Sequence, residues 1–177
     1  MYGKLITGIL YSDKSLLEQS LEMYAAETKG IQRRSQSHLF DETDYYGTEM
    51  SSELYRQLIS FSGIITLEEV IRWKKFADRV EDEFRLRGNR QVNVDPGYLD
   101  FHKVVLLSAK PGGHKIYLGH QVWADMVLFK KKGEYQAFAW TFPDLRGHKY
   151  DDWFLQVRAD FKKELKANES DTFDSVY

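Results

Sequence analysis

The spacing of apolar residues predicts a strand at the start of the chain, mainly helices through the rest of its first half and strands through most of its second half. Residues 5–11 form a short apolar run rich in β-forming side chains, which indicates a buried strand. Ser15 and Glu18 form a capping-box pattern, and the apolar spacing after them predicts a helix that ends near Gly30. The polar residues 31–40 predict an edge strand.

Further helices follow in the sequence pattern. Apolar residues step by three or four over residues 50–61, and they do so most clearly over residues 70–84. Thr66 and Glu69 form a second capping box before the longer stripe. A last helix is predicted to begin at Asp151 or Asp152, and the polar, aperiodic residues 167–177 predict a disordered C-terminal tail.

From residue 90 the apolar period falls from about 3.6 to about two, which is the spacing of a strand. The predicted strands cover residues 92–94, 103–110, 116–118, 122–129 and 135–142. Asp95-Pro96-Gly97 is a strong turn signal at the end of the first of them. The sequence therefore predicts one α+β domain over residues 1–166, with a largely antiparallel or mixed sheet of about five to six strands packed by about four helices.

The composition excludes several classes of protein. The 177-residue chain has no cysteine, so disulfide frameworks, zinc knuckles, iron–sulfur centres and thiol nucleophiles are excluded. Its 25 Lys and Arg residues against 27 Asp and Glu residues give a net charge of −2, which is no strong signature of DNA binding. No segment has the roughly 20 apolar residues of a membrane span, and no export signal is present. A cytoplasmic protein without membrane association is therefore expected.

An acidic segment over residues 41–49 is the candidate metal site. Asp41, Asp44 and Glu49 could place carboxylate oxygens around a hard cation, with Mg²⁺ or Mn²⁺ as the candidate cofactor. In the alternative interpretation, Thr43 or Asp44 caps a short turn and the acids are simply solvated, as charge runs commonly are.

Two later segments carry the candidate catalytic residues Asp95, Lys110 and His114. Asp95 stands at the predicted turn, where it either serves a site or caps the turn. Lys110, His114 and Lys115 flank a glycine turn at residues 112–113, whose backbone amides could help to form an anion pocket. His114 suits a general acid or base because the charge of histidine changes near neutral pH. The alternative is an exposed hairpin loop with incidental basic residues.

The polar segments and the strands beside them contain residues in a specific order and spacing. These residues are Phe40, Asp41, Thr43, Asp44, Tyr45, Tyr46, Glu49, Met50, Val92, Asn93, Asp95, Pro96, Gly97, Tyr98, Leu99, Lys103, Ser108, Lys110, His114, Ile116, Tyr117, Leu118, Gly119, Trp140, Thr141, Pro143 and Asp144. Over about residues 4–161 the chain thereby resembles the bacterial and archaeal domain-of-unknown-function family numbered 4416. Some members of this family are labelled GTP-binding proteins, whereas this sequence contains no phosphate-loop motif.

The resemblance and the polar segments together indicate a set of substrate-binding residues. This set is Thr43, Tyr45, Asn93, Lys103, Lys115, Tyr117 and Asp144. The chain departs from the family pattern at six positions, which are Glu42, Ala77, Lys115, Asp125, Phe142 and Leu145. Lys115 stands where Arg is usual, and Asp125 stands where Glu is usual. Lysine keeps the charge but loses the bidentate fork of arginine, and aspartate reaches one methylene less far than glutamate.

Acids beside bases at one end of a sheet predict a small metal-assisted phosphoester or nucleotide enzyme. The acids would hold the cation, while Lys110 and His114 would neutralise or protonate the phosphate oxygens of a small phosphorylated ligand or nucleotide. The alternative is a non-catalytic module that binds a nucleotide, RNA or a protein. In that case the aromatic side chains that stack on bases would be Tyr117, Trp123, Phe138 and Trp140. In a third interpretation the acid–base pairs are structural salt bridges.

Overall fold

The computed structural model describes residues 1–40, 50 and 53–174. In this part of the chain one sheet has ten strands. The strands are Tyr2–Tyr11 (β1), Ile31–Arg34 (β2), His38–Leu39 (β3), Tyr55–Phe61 (β4), Ile65–Thr66 (β5), Val92–Leu99 (β6), Lys103–Ser108 (β7), Ile116–Gly119 (β8), Val122–Lys131 (β9) and Glu134–Ala137 (β10). The helices are Lys14–Glu27 (α1), Val70–Glu83 (α2), Pro143–Arg146 (α3) and Asp151–Asp174 (α4), and a 3₁₀ turn, Leu67–Glu69, leads into α2.

The first strand lies inside the sheet rather than at its edge. The strand order is β10-β9-β7-β6-β1-β4-β2, with β3 paired to β4, β5 to β1 and β8 to β9. The described pairs are antiparallel, and β1 is hydrogen-bonded to β4 on one side and to β6 on the other. The predicted α+β class is confirmed, but the sheet has more strands than the predicted five to six.

Helices cover both faces of the sheet. Ile9 of β1 packs in one cluster with Tyr24 of α1 and Trp73 of α2. Ile6 points to the opposite face, because side chains alternate along a strand, and it packs in a second cluster with Phe154 of α4. A central strand of this sheet is therefore buried on both faces.

One predicted helix is wrong because most of its residues belong to a strand that is buried on both faces. In the segment predicted as a helix over residues 50–61, residues 55–61 form the strand β4, and residues 58–61 of this strand are all buried. A strand covered on both faces loses the alternation of apolar and polar residues. Leu54, Leu58 and Phe61 are then apolar at a spacing that equally fits a helix.

The predicted helix ends are confirmed in one case and corrected in two. The capping box before α2 forms, since the Thr66 amide donates to Glu69 Oε2 at 2.8 Å. The cap of α1 is Asp13, which accepts a hydrogen bond from the Ser15 amide at 2.7 Å, so Ser15 is not the cap. The last helix continues to Asp174, past residue 166 where the sequence analysis placed the end of the domain.

The last helix is held to the first strands by ionic contacts. The side chain of Lys4 is fully buried, and its Nζ donates to Glu164 at 2.5 Å and to the Gly63 carbonyl at 3.1 Å. Burial lowers the pKa of Lys4 in spite of Glu164. Arg33 of β2 pairs with Asp160 in the same helix. Neither this helix nor any other in the described residues has the length and apolar character needed to cross a membrane.

Candidate functional site

The sheet divides between β6 and β7, and the candidate site lies in this gap. The two strands pair only over residues 97–99 and 104–106. Pro96 cannot donate a backbone hydrogen bond, and the pairing with β7 stops at the residue beside it. Asp95-Pro96-Gly97 is not the predicted turn, because β1 pairs with β6 along its whole length and keeps it a continuous strand.

A cavity of about 360 Å³ opens where β6 and β7 separate. This volume lies within the range of small-molecule sites. Side chains from α2 and β6, with Arg90 from the loop before β6, form one wall. Side chains from β7, the loop after it and β9 form the other. Phe40, Leu106, Leu107 and Phe142 add apolar surface.

The wall formed by α2 and β6 is a chain of hydrogen bonds between charged and amide groups. Glu81 accepts a hydrogen bond from the Val94 amide at 2.7 Å, and its other oxygen lies 3.3 Å from Arg90 Nη1. Arg90 Nη1 also donates to Asn93 Oδ1 at 2.7 Å. Asn93 Nδ2 in turn donates to Asp95 Oδ2 at 2.9 Å. These contacts fix Asn93 and Asp95 beside the cavity.

Lys74 is the second cation of this wall. Its side chain is 5% exposed, and its Nζ lies 2.8 Å from Asp78 Oδ1. Burial by itself lowers the pKa of Lys74, but the carboxylates around it, led by Asp95, raise the pKa above its ordinary value. Two cations, Lys74 and Arg90, face the three carboxylates of Asp78, Glu81 and Asp95 on this wall. Its balance of charge is therefore negative.

The opposite wall carries the basic residues predicted from the glycine turn. Lys115 Nζ donates to Ser108 Oγ at 3.0 Å and lies 4.0 Å from Asp125 Oδ2. Lys110 lines the cavity next to it, with its carbonyl oxygen 3.5 Å from Lys115 Nζ. Two ammonium groups thus stand against one carboxylate, and the balance of charge on this wall is positive.

Asp125 and a stack of rings orient His114 at the edge of the cavity. His114 Nε2 lies 3.4 Å from Asp125 Oδ2. The imidazole stacks on Trp140, with ring centroids 5.2 Å apart, and Trp140 stacks on Phe138 at 4.6 Å. The Asp125 side chain is 6% exposed, and none of the described groups donates to its Oδ1.

Glu81 provides a test of the α2 wall through the pH dependence of stability. Burial raises the pKa of Glu81, so the folded protein keeps a proton that the unfolded chain releases at the same pH. The resulting stabilisation is complete below the ordinary pKa and is lost as the pH rises through the folded pKa. We expect the free energy of unfolding of the wild type, relative to Glu81→Gln, to fall in urea titrations as the pH rises above about 4 and through the raised pKa of Glu81.

Glu83→Gln is the matched control for this prediction, because Glu83 is an exposed carboxylate on the same helix. Its stability relative to the wild type is expected to show no such fall. A difference between the wild type and Glu81→Gln that stays constant or grows over this pH range would contradict the raised pKa.

The structure brings several predicted site residues together. Asn93, Asp95, Lys110 and Lys115 line the cavity, and His114 lies beside it. Two of the three polar segments singled out in the sequence therefore meet in one place. They meet because β6 and β7 are consecutive antiparallel strands, so the start of β6 lies beside the end of β7, and α2 adds its side chains to the same cavity.

Three predicted substrate-binding residues do not line the cavity. Lys103 pairs with Asp100 at the start of β7, whereas the cavity lies at the end of that strand. Tyr117 is 58% exposed on β8. Asp144 is 1% exposed, and both of its carboxylate oxygens accept from Arg56 Nη1, at 2.6 and 2.7 Å. The charges of Lys103 and Asp144 are thus engaged in local ion pairs.

The acidic segment falls in the part of the chain that the structure does not describe. Asp41, Thr43, Asp44, Tyr45 and Glu49 all lie there. Among residues 1–40, 50 and 53–174, no group of three or more His, Asp or Glu side chains is placed to hold a metal ion. The metal site on Asp41, Asp44 and Glu49 stays a prediction.

The α2 residues of the site were absent from the predicted set. Lys74 and Glu81 are seven residues apart, which places them on one side of the helix, directly after Trp73 and Val80 of its apolar stripe. Two opposite charges along the edge of a buried stripe were the available signal. Asp125 was also missing from the predicted site residues, although it interrupts a predicted strand with a single carboxylate.

Comparison with known proteins gives a family and no activity. The family model described as "Domain of unknown function (DUF4416)" matches residues 2–161. The match includes both walls of the cavity. No curated protein and no solved structure matches the chain.

Proposed function

Since the chain belongs to the DUF4416 family, whose description names no activity, we propose its function from the cavity itself: it binds a small phosphorylated molecule such as a nucleotide and acts on the phosphoester. The opposite charge balance of the two walls is the observation that carries this proposal. A phosphate ester has the matching polarity, with an anion at one end and hydrogen-bond donors at the other.

The phosphate group is assigned to the wall of Ser108, Lys110 and Lys115. A lysine ammonium has three donors, so Lys115 Nζ can bind phosphate oxygens while it keeps its 3.0 Å contact to Ser108. Charge-assisted hydrogen bonds of this kind are the strong ones in a partly buried site. The acidic wall repels the phosphate and accepts hydrogen bonds from hydroxyl or amino groups at the other end of the ligand.

The organic part of the ligand is assigned to the apolar surface between the walls. Phe40 and Phe142 line the cavity and both pack on the guanidinium of Arg56, at 4.4 and 4.9 Å from the ring centroids. This packing holds the two rings in place. A rigid apolar surface next to a few fixed polar groups is the usual composition of a small-molecule site.

Catalysis is assigned to His114, oriented by Asp125 at the phosphate end of the cavity. An imidazole held by a carboxylate can donate a proton to the leaving oxygen of a phosphoester or accept one from a water molecule. The predicted site on Asp41, Asp44 and Glu49 would bind Mg²⁺ or Mn²⁺ as the cofactor. Release of phosphate from a nucleotide in the presence of either cation supports the enzyme, whereas binding without turnover supports the non-catalytic module.

The phosphate assignment predicts a loss of affinity on removal of one ammonium group. In Lys115→Met, which keeps the length of the side chain, the affinities for inorganic phosphate and for a nucleoside monophosphate are expected to fall about tenfold or more. Isothermal titration calorimetry measures both.

The matched control for this experiment is Lys103→Met. Lys103, like Lys115, is a partly buried lysine close to an aspartate, but it lies away from the cavity. Its substitution is expected to leave both affinities within about twofold of the wild type. Equal losses in the two variants, or no phosphate binding by the wild type, would refute the proposed function.

A further inference from the structure

Asp125 is a buried carboxylate on the cavity wall, and only one of its two oxygens contacts a described side chain. The contacts to His114 Nε2 at 3.4 Å and to Lys115 Nζ at 4.0 Å both go to Oδ2. Oδ1 is buried as well, and no group in the described residues donates a hydrogen bond to it. The side chain is 6% exposed and belongs to the lining of the cavity.

A buried acceptor without a donor is costly, and native proteins keep few of them. The backbone of Asp125 is fixed, since β9 pairs Asp125 directly with Leu106 of β7. Asp125 therefore stays on the cavity wall, and a turn of its side chain is enough to bring Oδ1 to the cavity. A hydrogen-bond donor on a ligand bound there would satisfy this oxygen.

We propose that Asp125 Oδ1 accepts a hydrogen bond from a hydroxyl group on the ligand, and that this hydroxyl is on the carbon next to the phosphate-bearing carbon. This inference rests on the proposed function, because it takes the phosphate to be bound by Lys115. Lys115 Nζ and the Asp125 carboxylate are 4.0 Å apart. The phosphate and the hydroxyl that they bind must consequently be close neighbours on the ligand.

The inference narrows the substrate class from phosphate esters in general to esters of vicinal diols. Glycerol phosphates, sugar 1-phosphates and ribose 2′- or 3′-phosphates have such a hydroxyl. Simple alkyl phosphates and nucleoside 5′-phosphates do not, so among nucleotides the inference selects the 2′- and 3′-phosphates. His114 contacts Oδ2 of the same carboxylate. With the hydroxyl on Oδ1 and the phosphate on Lys115, the imidazole is then next to the ester oxygen. The hydroxyl contact thereby sets the position of the scissile bond relative to the imidazole.

Three small ligands of known structure test this inference on the wild-type protein. They are propyl phosphate, 2-hydroxypropyl phosphate and 3-hydroxypropyl phosphate, with inorganic phosphate as the reference. Calorimetry is expected to show that the 2-hydroxyl strengthens binding about tenfold over propyl phosphate, because its hydrogen bond is to a charged and buried acceptor. The 3-hydroxyl is expected to add about threefold or less.

Asp125→Asn then assigns the effect to one residue. Asparagine has the same shape, but it has no charge and only one of its two terminal atoms can accept a hydrogen bond, so the advantage of the 2-hydroxyl is expected to fall to about threefold or less. Asp95→Asn is the matched control, since it removes one carboxylate from the opposite wall of the same cavity. In that variant the affinity for every phosphate is expected to change by the same factor, and the preference for the 2-hydroxyl is expected to remain.

The outcomes separate this inference from the function on which it rests. Binding of phosphate and propyl phosphate without any gain from the 2-hydroxyl overturns the inference and leaves the phosphate site in place. Equal loss of the preference in Asp125→Asn and Asp95→Asn also overturns it, because the whole cavity and not Asp125 would then recognise the hydroxyl. No binding of inorganic phosphate by the wild type overturns both.

Discussion

Gly97→Ala is expected to lower the free energy of unfolding by about 3 kcal/mol. A Cβ at Gly97 would stand 2.1 Å from the carbonyl oxygen of Val105 and 3.0 Å from the Cα of Leu106. Both are backbone atoms of the neighbouring strand, so no side chain can turn aside to relieve the clash. The last pairs between β6 and β7 would have to open, at the point from which the cavity begins.

Urea denaturation with Gly113→Ala as the control tests this prediction. A Cβ at Gly113 has no atom within 4 Å, and its backbone is not in the left-handed region. Its stability is expected to stay within about 0.5 kcal/mol of the wild type. If Gly97→Ala proves no less stable than Gly113→Ala, the close approach of the two strands at Gly97 is wrong.

The second large effect is expected from the buried pair of Arg56 and Asp144. Their side chains are 3% and 1% exposed, and Phe40 and Phe142 pack on the guanidinium. Arg56→Met leaves the Asp144 carboxylate buried without its cation, and this is expected to cost about 3–5 kcal/mol of stability. The double variant Arg56→Met with Asp144→Leu removes both charges and is expected to recover most of the loss.

An exposed ion pair provides the comparison for this cycle. Arg72 and Glu27 are 3.2 Å apart, with side chains that are 63% and 43% exposed. Arg72→Met is expected to change the stability by less than about 1 kcal/mol, because water and salt screen such a pair. Losses that simply add in the Arg56 and Asp144 double variant would mean that the two side chains do not stabilise each other.

The elements that the sequence predicts well are those with one buried face. The stripe of α2 contains Val70, Trp73, Ala77 and Val80, and each of them is buried in the structure. The capping box at Thr66 and Glu69 depends on local spacing alone, and it forms as predicted. By contrast, β4 has no exposed face, so its pattern contains no period by which a strand can be distinguished from a helix.

The site could be predicted where loops carry its residues and not where a helix does. Lys110, His114 and Lys115 stand out because no apolar pattern surrounds the glycine turn. Lys74 and Glu81 are hidden inside the strongest helical pattern of the chain, and only tertiary packing shows that they line a cavity with Asp95. The turn predicted at Pro96 fails similarly, since local turn signals do not record the pairing that β1 imposes on β6.

The central place of β1 has a consequence for how the protein is made. β1 is synthesised before its partners, because β4 and β6, which pair with most of its length, end only at Phe61 and Leu99. The carboxylate that pairs with Lys4 is later still, at Glu164. Contacts so distant in sequence slow folding and leave apolar strands without partners in the meantime. The nascent chain can therefore complete its sheet only late in translation, and until then the apolar residues of β1 lack the strands that bury them.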